Sequence, residues 1–146
     1  MAVMTSAGST LSIATGSPAT YDAAGFTALT YVIVGEVTDI GEVTNREYAV
    51  VNHMPVGSRT VKKFKGSYQT GTLQIQMARD SSNAGQTALR AALVSDADYS
   101  FKVTLQDLSK IHFVGKVTAF KTSVGSVDQI TGANCTVELS GDVVEI

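Results

Sequence analysis

The sequence predicts a mainly β protein: a two-sheet β-sandwich or partly closed barrel with one flanking α-helix. Three observations predict it. Apolar and polar residues alternate in short runs, as in Leu73, Ile75, Met77 and in Tyr99, Phe101, Val103, Leu105, the period of a half-buried strand. Breaks such as Asp39-Ile40-Gly41, Pro55-Val56-Gly57 and Gly125-Ser126 separate the runs, supplying turn chemistry at the ends of strands. Only one stretch, after Asn83, has helical spacing. Some seven β segments and one helix bury their apolar faces best as packed layers.

Residues 1–20 carry no charged side chain, and Gly8, Gly16 and Pro18 interrupt any period. Such a segment buries too little to order itself, so it reads as a flexible N-terminal arm, either a frayed terminus or a segment that orders on a neighbouring subunit. The rest, 21–146, reads as a single β-sandwich domain without internal repeats. Thr27 to Val37 is β-branched, with Leu29, Tyr31 and Ile33 on one face and Val32 and Val34 on the other, as in a strand covered on both sides. Glu47 to Asn52 forms a second strand. Arg59 to Tyr68 is β-prone but basic, and Leu73 to Met77 is a clean half-buried strand.

Asn83, with Gln86 three residues on, is the signature of a helix start. Leu89, Ala92 and Leu93 then make one apolar stripe. Gly85 in the first turn is a local weakness of about 1 kcal/mol against Ala. Tyr99 to Gln106 and Ile111 to Lys121 read as a hairpin joined through residues 106–110, with Gly115 as a candidate bulge. Cys135, Val137 and Leu139 alternate in a further strand, and Val143 to Ile146 extends the pairing.

Composition narrows the function. In 146 residues, 44% are hydrophobic and only 16% charged, against a usual charged share of about 25%. Thr, Ser, Gly and Gln fill the difference, which makes a polar, weakly charged surface. A net charge of −2 disfavours a dedicated nucleic-acid binder. A single Cys excludes an intrachain disulfide and fits a reducing compartment. No run approaches the ~20 apolar residues of a membrane helix, and the first twenty residues have no secretory pattern. Soluble, cytoplasmic synthesis without a membrane is the expectation.

No constellation of catalytic residues is present. His53 lies in a Pro/Gly break and reads as a surface residue; His112 reads as an ordinary polar-face strand residue; Cys135 reads as a small core residue. No metal-ligand spacing, nucleophile motif or phosphate cradle occurs. No enzyme activity and no cofactor are expected. The one charge feature is a segregation. Arg59, Lys62, Lys63 and Lys65 fall together without an acid; after Lys121, the last basic residue, come only Asp128, Glu138, Asp142 and Glu145, and Glu36, Asp39 and Glu42 form another acidic stretch. A basic hairpin meeting an acidic surface on a neighbouring copy is one reading, and a solvated basic strand another.

Several segments together resemble the major tail tube protein of long-tailed, non-contractile (siphophage-type) bacteriophages. They are Ser17 to Phe26, Gly35 to Glu42, Arg46-Glu47-Tyr48, Lys62 to Tyr68, Ala78-Arg79-Asp80 with Ala84-Gly85-Gln86, Tyr99 to Val103 and Gly125 to Asp128. The resemblance implies a β-sandwich flanked by a helix, hexameric rings, and stacking of rings into a hollow tube through which DNA leaves the capsid. It implies tape-measure and tail-terminator partners, passage of genomic DNA without specific binding, and residence in the virion tail after assembly in the host cytoplasm. An inserted loop at about 44–71 would contact neighbouring subunits or rings. On that reading Arg46, Glu47, Arg59, Lys62, Lys63 and Lys65 are the inter-subunit residues. The rival is a monomeric β-sandwich module for a carbohydrate or a peptide. Such modules usually expose aromatics, and this chain has no Trp and five Tyr.

Overall fold

The computed structural model describes residues 3–44 and 46–146. Met1 and Ala2 of the expected arm, and Asn45 of the expected inserted loop, lie outside them. The described chain runs β1 (Thr10–Thr15), α1 (Ala23–Thr27), β2 (Val32–Val34), β3 (Val37–Asp39), β4 (Glu47–His53), β5 (Lys62–Gln69), β6 (Thr72–Ala78), α2 (Ala84–Val94), β7 (Tyr99–Thr104), β8 (Lys110–Ser123), β9 (Gly132–Leu139) and β10 (Val144–Glu145). The main sheet has eight strands in the order β2-β1-β7-β8-β9-β6-β3, with β10 added on β8. Its path is open between β2 and β3, so it is not a closed barrel. The second sheet is small: β4 and β5 alone. The mainly β architecture with a flanking helix is therefore what the chain adopts.

One face of the main sheet holds the core. Leu11 and Ile13 of β1, Phe101 and Val103 of β7, Phe113 of β8, Cys135 and Val137 of β9, and Leu73 and Ile75 of β6 are all buried there, with Leu89 and Ala92 of α2. In β6, β7 and β9 the alternation read from the sequence places these residues inward. Cys135 is fully buried, and burial pushes its thiol up to about 12.

Four expectations are corrected. Thr10–Thr15 are no free arm: β1 pairs with β7 along its whole length, and Ser12 and Ala14 on its other face are buried as well. Partner strands on both sides supply the burial that the segment lacks alone. The strand expected from Thr27 to Val37 is broken. α1 occupies its start, and Glu36 at φ 60 separates β2 from β3. The start of α2 grips this break: Asn83 accepts from the Gly35 N–H at 3.1 Å, and the Gln86 amide donates to the Gly35 carbonyl at 3.0 Å. Third, Gly115 pairs regularly with Tyr99 and Leu139, and the β8 bulge lies between Val117 and Ala119.

The fourth correction is His112, which is buried rather than on an open polar face. The segment carrying α1 folds over the outer face of β1, β7 and β8. There Phe26 stacks on the His112 ring and Tyr31 approaches it at 3.3 Å. The Tyr31 hydroxyl donates to the Phe26 carbonyl at 3.0 Å. The network thus assigns the imidazole proton to Nδ1, facing the Tyr31 oxygen. Nε2 is left as a buried acceptor with no partner among the described residues.

Candidate subunit-contact hairpin

The basic segment forms a hairpin that stands outside the main sheet. Its register pairs Glu47 with Gln69, Tyr48 with Tyr68, Val50 with Lys65, Val51 with Phe64, Asn52 with Lys63 and His53 with Lys62. A shift between Tyr48 and Val50 leaves Ala49 opposite both Gly66 and Ser67, as in a β-bulge. Alternation then fixes the two faces. Tyr48, Val50, Asn52, Lys63, Lys65 and Tyr68 share one; Ala49, Val51, His53, Lys62 and Phe64 share the other. Both faces are open: Val50 is 62% exposed on the first, Val51 53% and Phe64 56% on the second.

The six residues expected at a contact do not form one patch. Lys63 and Lys65 project from one face and Lys62 from the other. Arg59 is exposed in the connection between β4 and β5, and Glu47 is exposed at the start of β4. Lys65 Nζ lies 4.8 Å from the Tyr48 ring centroid, a cation–π geometry. Arg46 is at the base, where it has a structural partner. Its guanidinium donates to Asp142 Oδ1 at 2.9 Å and lies 4.6 Å from the Tyr68 ring centroid.

Asp142 is the residue that sequence reasoning missed. Its second carboxylate oxygen accepts from the Tyr68 hydroxyl at 2.9 Å. That bond to a carboxylate holds the Tyr68 hydroxyl above its ordinary pKa. Next to it, Thr70 donates to the Gly141 carbonyl at 2.7 Å, and Tyr21 donates to the Asp142 carbonyl. The turn at 140–142, with Gly141 at φ 91, therefore ties the hairpin base to the α1 segment. The only sequence signal was an acid beside a glycine near the end of the chain.

A second surface is the outer face of β6, β9 and the distal part of β8. Gln74, Gln76, Asn134 and Glu138 are exposed there, with Thr72 and Thr136 partly so. Neighbouring side chains bond one another: Thr72 donates to Glu138 at 2.8 Å and Thr136 to Gln74 at 3.0 Å. Lys116 on the same side is paired with Asp98. This wall is polar; Lys121, beside Asn134, is an exposed cation on it without an ion-pair partner among the described residues, and Glu138 offsets its charge.

A third feature is an open cleft of about 330 Å³ beside the edge strand β3. Val37, Ile40, Val43, Val103 and Leu105 line it, with Asp39 at its rim. Among the described residues no cluster of His, Cys, Asp or Glu is placed to hold a metal ion. Among the same described residues no helix is long and apolar enough to cross a membrane.

No family model matches the chain, and no curated protein matches it. Solved structures do. A chain in the cryo-EM structure of the PVC sheath/tube terminator, from an extracellular contractile injection system, aligns with a TM-score of 0.67 at 9% identity, covering 100% of this chain and 98% of that one. A chain of the anti-feeding prophage baseplate aligns at TM-score 0.69 and 7% identity, covering 100% and 97%. The SPP1 tail tube structure aligns at TM-score 0.62 and 10% identity, covering 93% and 76%. Identities this low report the fold, and what they report is that this chain has the tail-tube fold.

Proposed function

We propose that the protein is the structural subunit of a non-contractile virion tail tube. Copies assemble in the host cytoplasm into hexameric rings, and the rings stack into a hollow conduit for the genome. The observation that carries this reading is the β4–β5 hairpin. A two-stranded hairpin is marginal in water by itself. This one exposes large apolar side chains on both faces, so it needs cover that its own chain does not provide. Neighbouring copies supply that cover, and the open edges β2 and β3 of the main sheet are protected in the same assembly.

The polar wall of β6, β9 and β8 suits the bore. A duplex must slide and not stick, and each phosphate neutralised by a Lys or Arg adds salt-dependent attraction. A face of Thr, Gln and Asn, on which Glu138 offsets Lys121 and Asp98 holds Lys116, presents little such attraction. The role is structural rather than enzymatic. Tape-measure and tail-terminator proteins are the expected further partners, and genomic DNA passes without specific binding.

Negative-stain microscopy and light scattering of the purified chain test the reading. Six-fold rings and tubes are expected. A monomer that persists at millimolar concentration, even when seeded with a tail initiator complex, overturns it.

A further inference from the structure

We propose that Phe64 of one copy docks into the cleft beside β3 of the next, with Lys62 of the first set against Asp39 of the second. The proposal rests on the self-assembly reading and names the two surfaces that meet.

Phe64 is the hairpin's aromatic residue without an internal partner. Tyr48 and Tyr68 pack on each other with centroids 4.9 Å apart, and Lys65 and Arg46 lie over their rings. Phe64 is on the opposite face, beside Val51 and Lys62. It has no polar atom to justify exposure, so it gains most from a desolvated pocket.

The cleft is the matching cavity. Its floor is the rim of the core: Val37, Ile40, Val43 and Leu105 pack against the core while remaining partly open. Its volume of about 330 Å³ is ample for an aromatic ring, since an apolar cavity of about 150 Å³ holds benzene. Its rim carries Asp39, whose carboxylate accepts from the Gly41 N–H, together with Ser6, Ser9 and Thr38. The ion pairs among the described residues are Arg46–Asp142 and Lys116–Asp98. Lys62 and the acids around β3 are therefore unpaired within the described chain. An aromatic knob beside a cation meets a half-apolar cleft with a carboxylate at its rim, and that complementarity identifies the occupant as a second copy of this chain.

A mixing experiment tests it. One preparation carries Val51→Cys, cross-strand from Phe64 on the same hairpin face, the other Thr38→Cys, at an exposed position lining the cleft. Cys135 is buried and stays out of the exchange. Mixed under assembly conditions and oxidised, the two are expected to give a covalent dimer within the assembled material and none in either preparation alone. Charge exchange supplies the second arm. Lys62→Glu and Asp39→Lys are each expected to cut assembly at least tenfold, with unchanged monomer melting, and their combination in one chain to restore it to within twofold. Tubes that form without the cross-link, and without rescue by the combined variant, overturn this docking and leave the tube reading standing. Absence of assembly in the unmodified chain overturns both.

Discussion

The Phe26 ring lies on the His112 imidazole, with centroids 5.2 Å apart and planes inclined by 24°. This stack makes the α1 segment part of the body and keeps His112 from water. Burial, reinforced by Lys102 and Lys110, pushes the imidazole pKa down to about 4.

The stack makes stability depend on pH. An unfolded His titrates near about 6.5, so as pH falls the unfolded chain takes up the proton first. The stabilisation is whole above about pH 6.5 and is lost progressively down to about pH 4. The loss approaches about 3 kcal/mol. Asp22, held down by its bond from the Gly25 N–H, and Asp80 and Asp107, held down by the Ser82 and Ser109 hydroxyls, act below that window. Urea midpoints between pH 7 and 4.5 should fall for the natural chain and stay nearly level for His112→Phe. A level natural curve contradicts the assignment.

Gly85→Ala should destabilise, although alanine is the better helix former by about 1 kcal/mol. An added Cβ would fall 2.5 Å from Val34 Cα and closer still to the Ile33 carbonyl oxygen. Forcing α2 away from β2 costs about 1–3 kcal/mol. A lower melting temperature is expected. A rise would mean that the helix approaches the strand less closely than described.

Asp142→Asn should loosen the hairpin and spare the core. The Arg46–Asp142 pair is half-exposed and screened by solvent, so its loss is a modest one. In a hairpin that is marginal alone, that amounts to about fivefold faster amide exchange across β4 and β5. Hydrogen exchange resolved by residue reads it. Unchanged protection in β5 would show that Asp142 does not hold the hairpin base.

On the proposed function the polar face of β6, β9 and β8 lines the bore, and it can be made adhesive. Gln74→Lys with Gln76→Lys places two extra cations per copy on the exposed face of β6. Tubes of this variant should retain fluorescent duplex DNA at low salt and release it as salt rises. Tubes of the natural chain should retain little. Equal release from both at low salt would place that face away from the bore.

Local features were legible and long-range ones were not. Asn83 caps α2 through its side chain, accepting from the Gln86 N–H at 3.0 Å, as the spacing predicts. The Gln86 side chain does more: fully buried, it donates to the Gly35 and Ala78 carbonyls and accepts from the Asp80 N–H. None of those partners is marked by spacing. β1 was missed because Leu11 and Ile13 are too few to announce a core strand. Their burial comes from β7, remote in the chain. The basic cluster was visible, but its division between two faces required the register and the bulge.

What the sequence determined by itself was the mainly β class, the single long helix, the weak surface charge and the separation of a basic segment from an acidic one. Each is a property of nearest neighbours or of composition, and each survives whatever the chain packs against. Tertiary structure alone decided that His112 is buried, that Asp142 holds Arg46 and Tyr68 together, and that the cleft beside β3 exists. These depend on segments far apart in the chain being folded over one another, and no local pattern encodes which distant residue will provide the missing half of a contact.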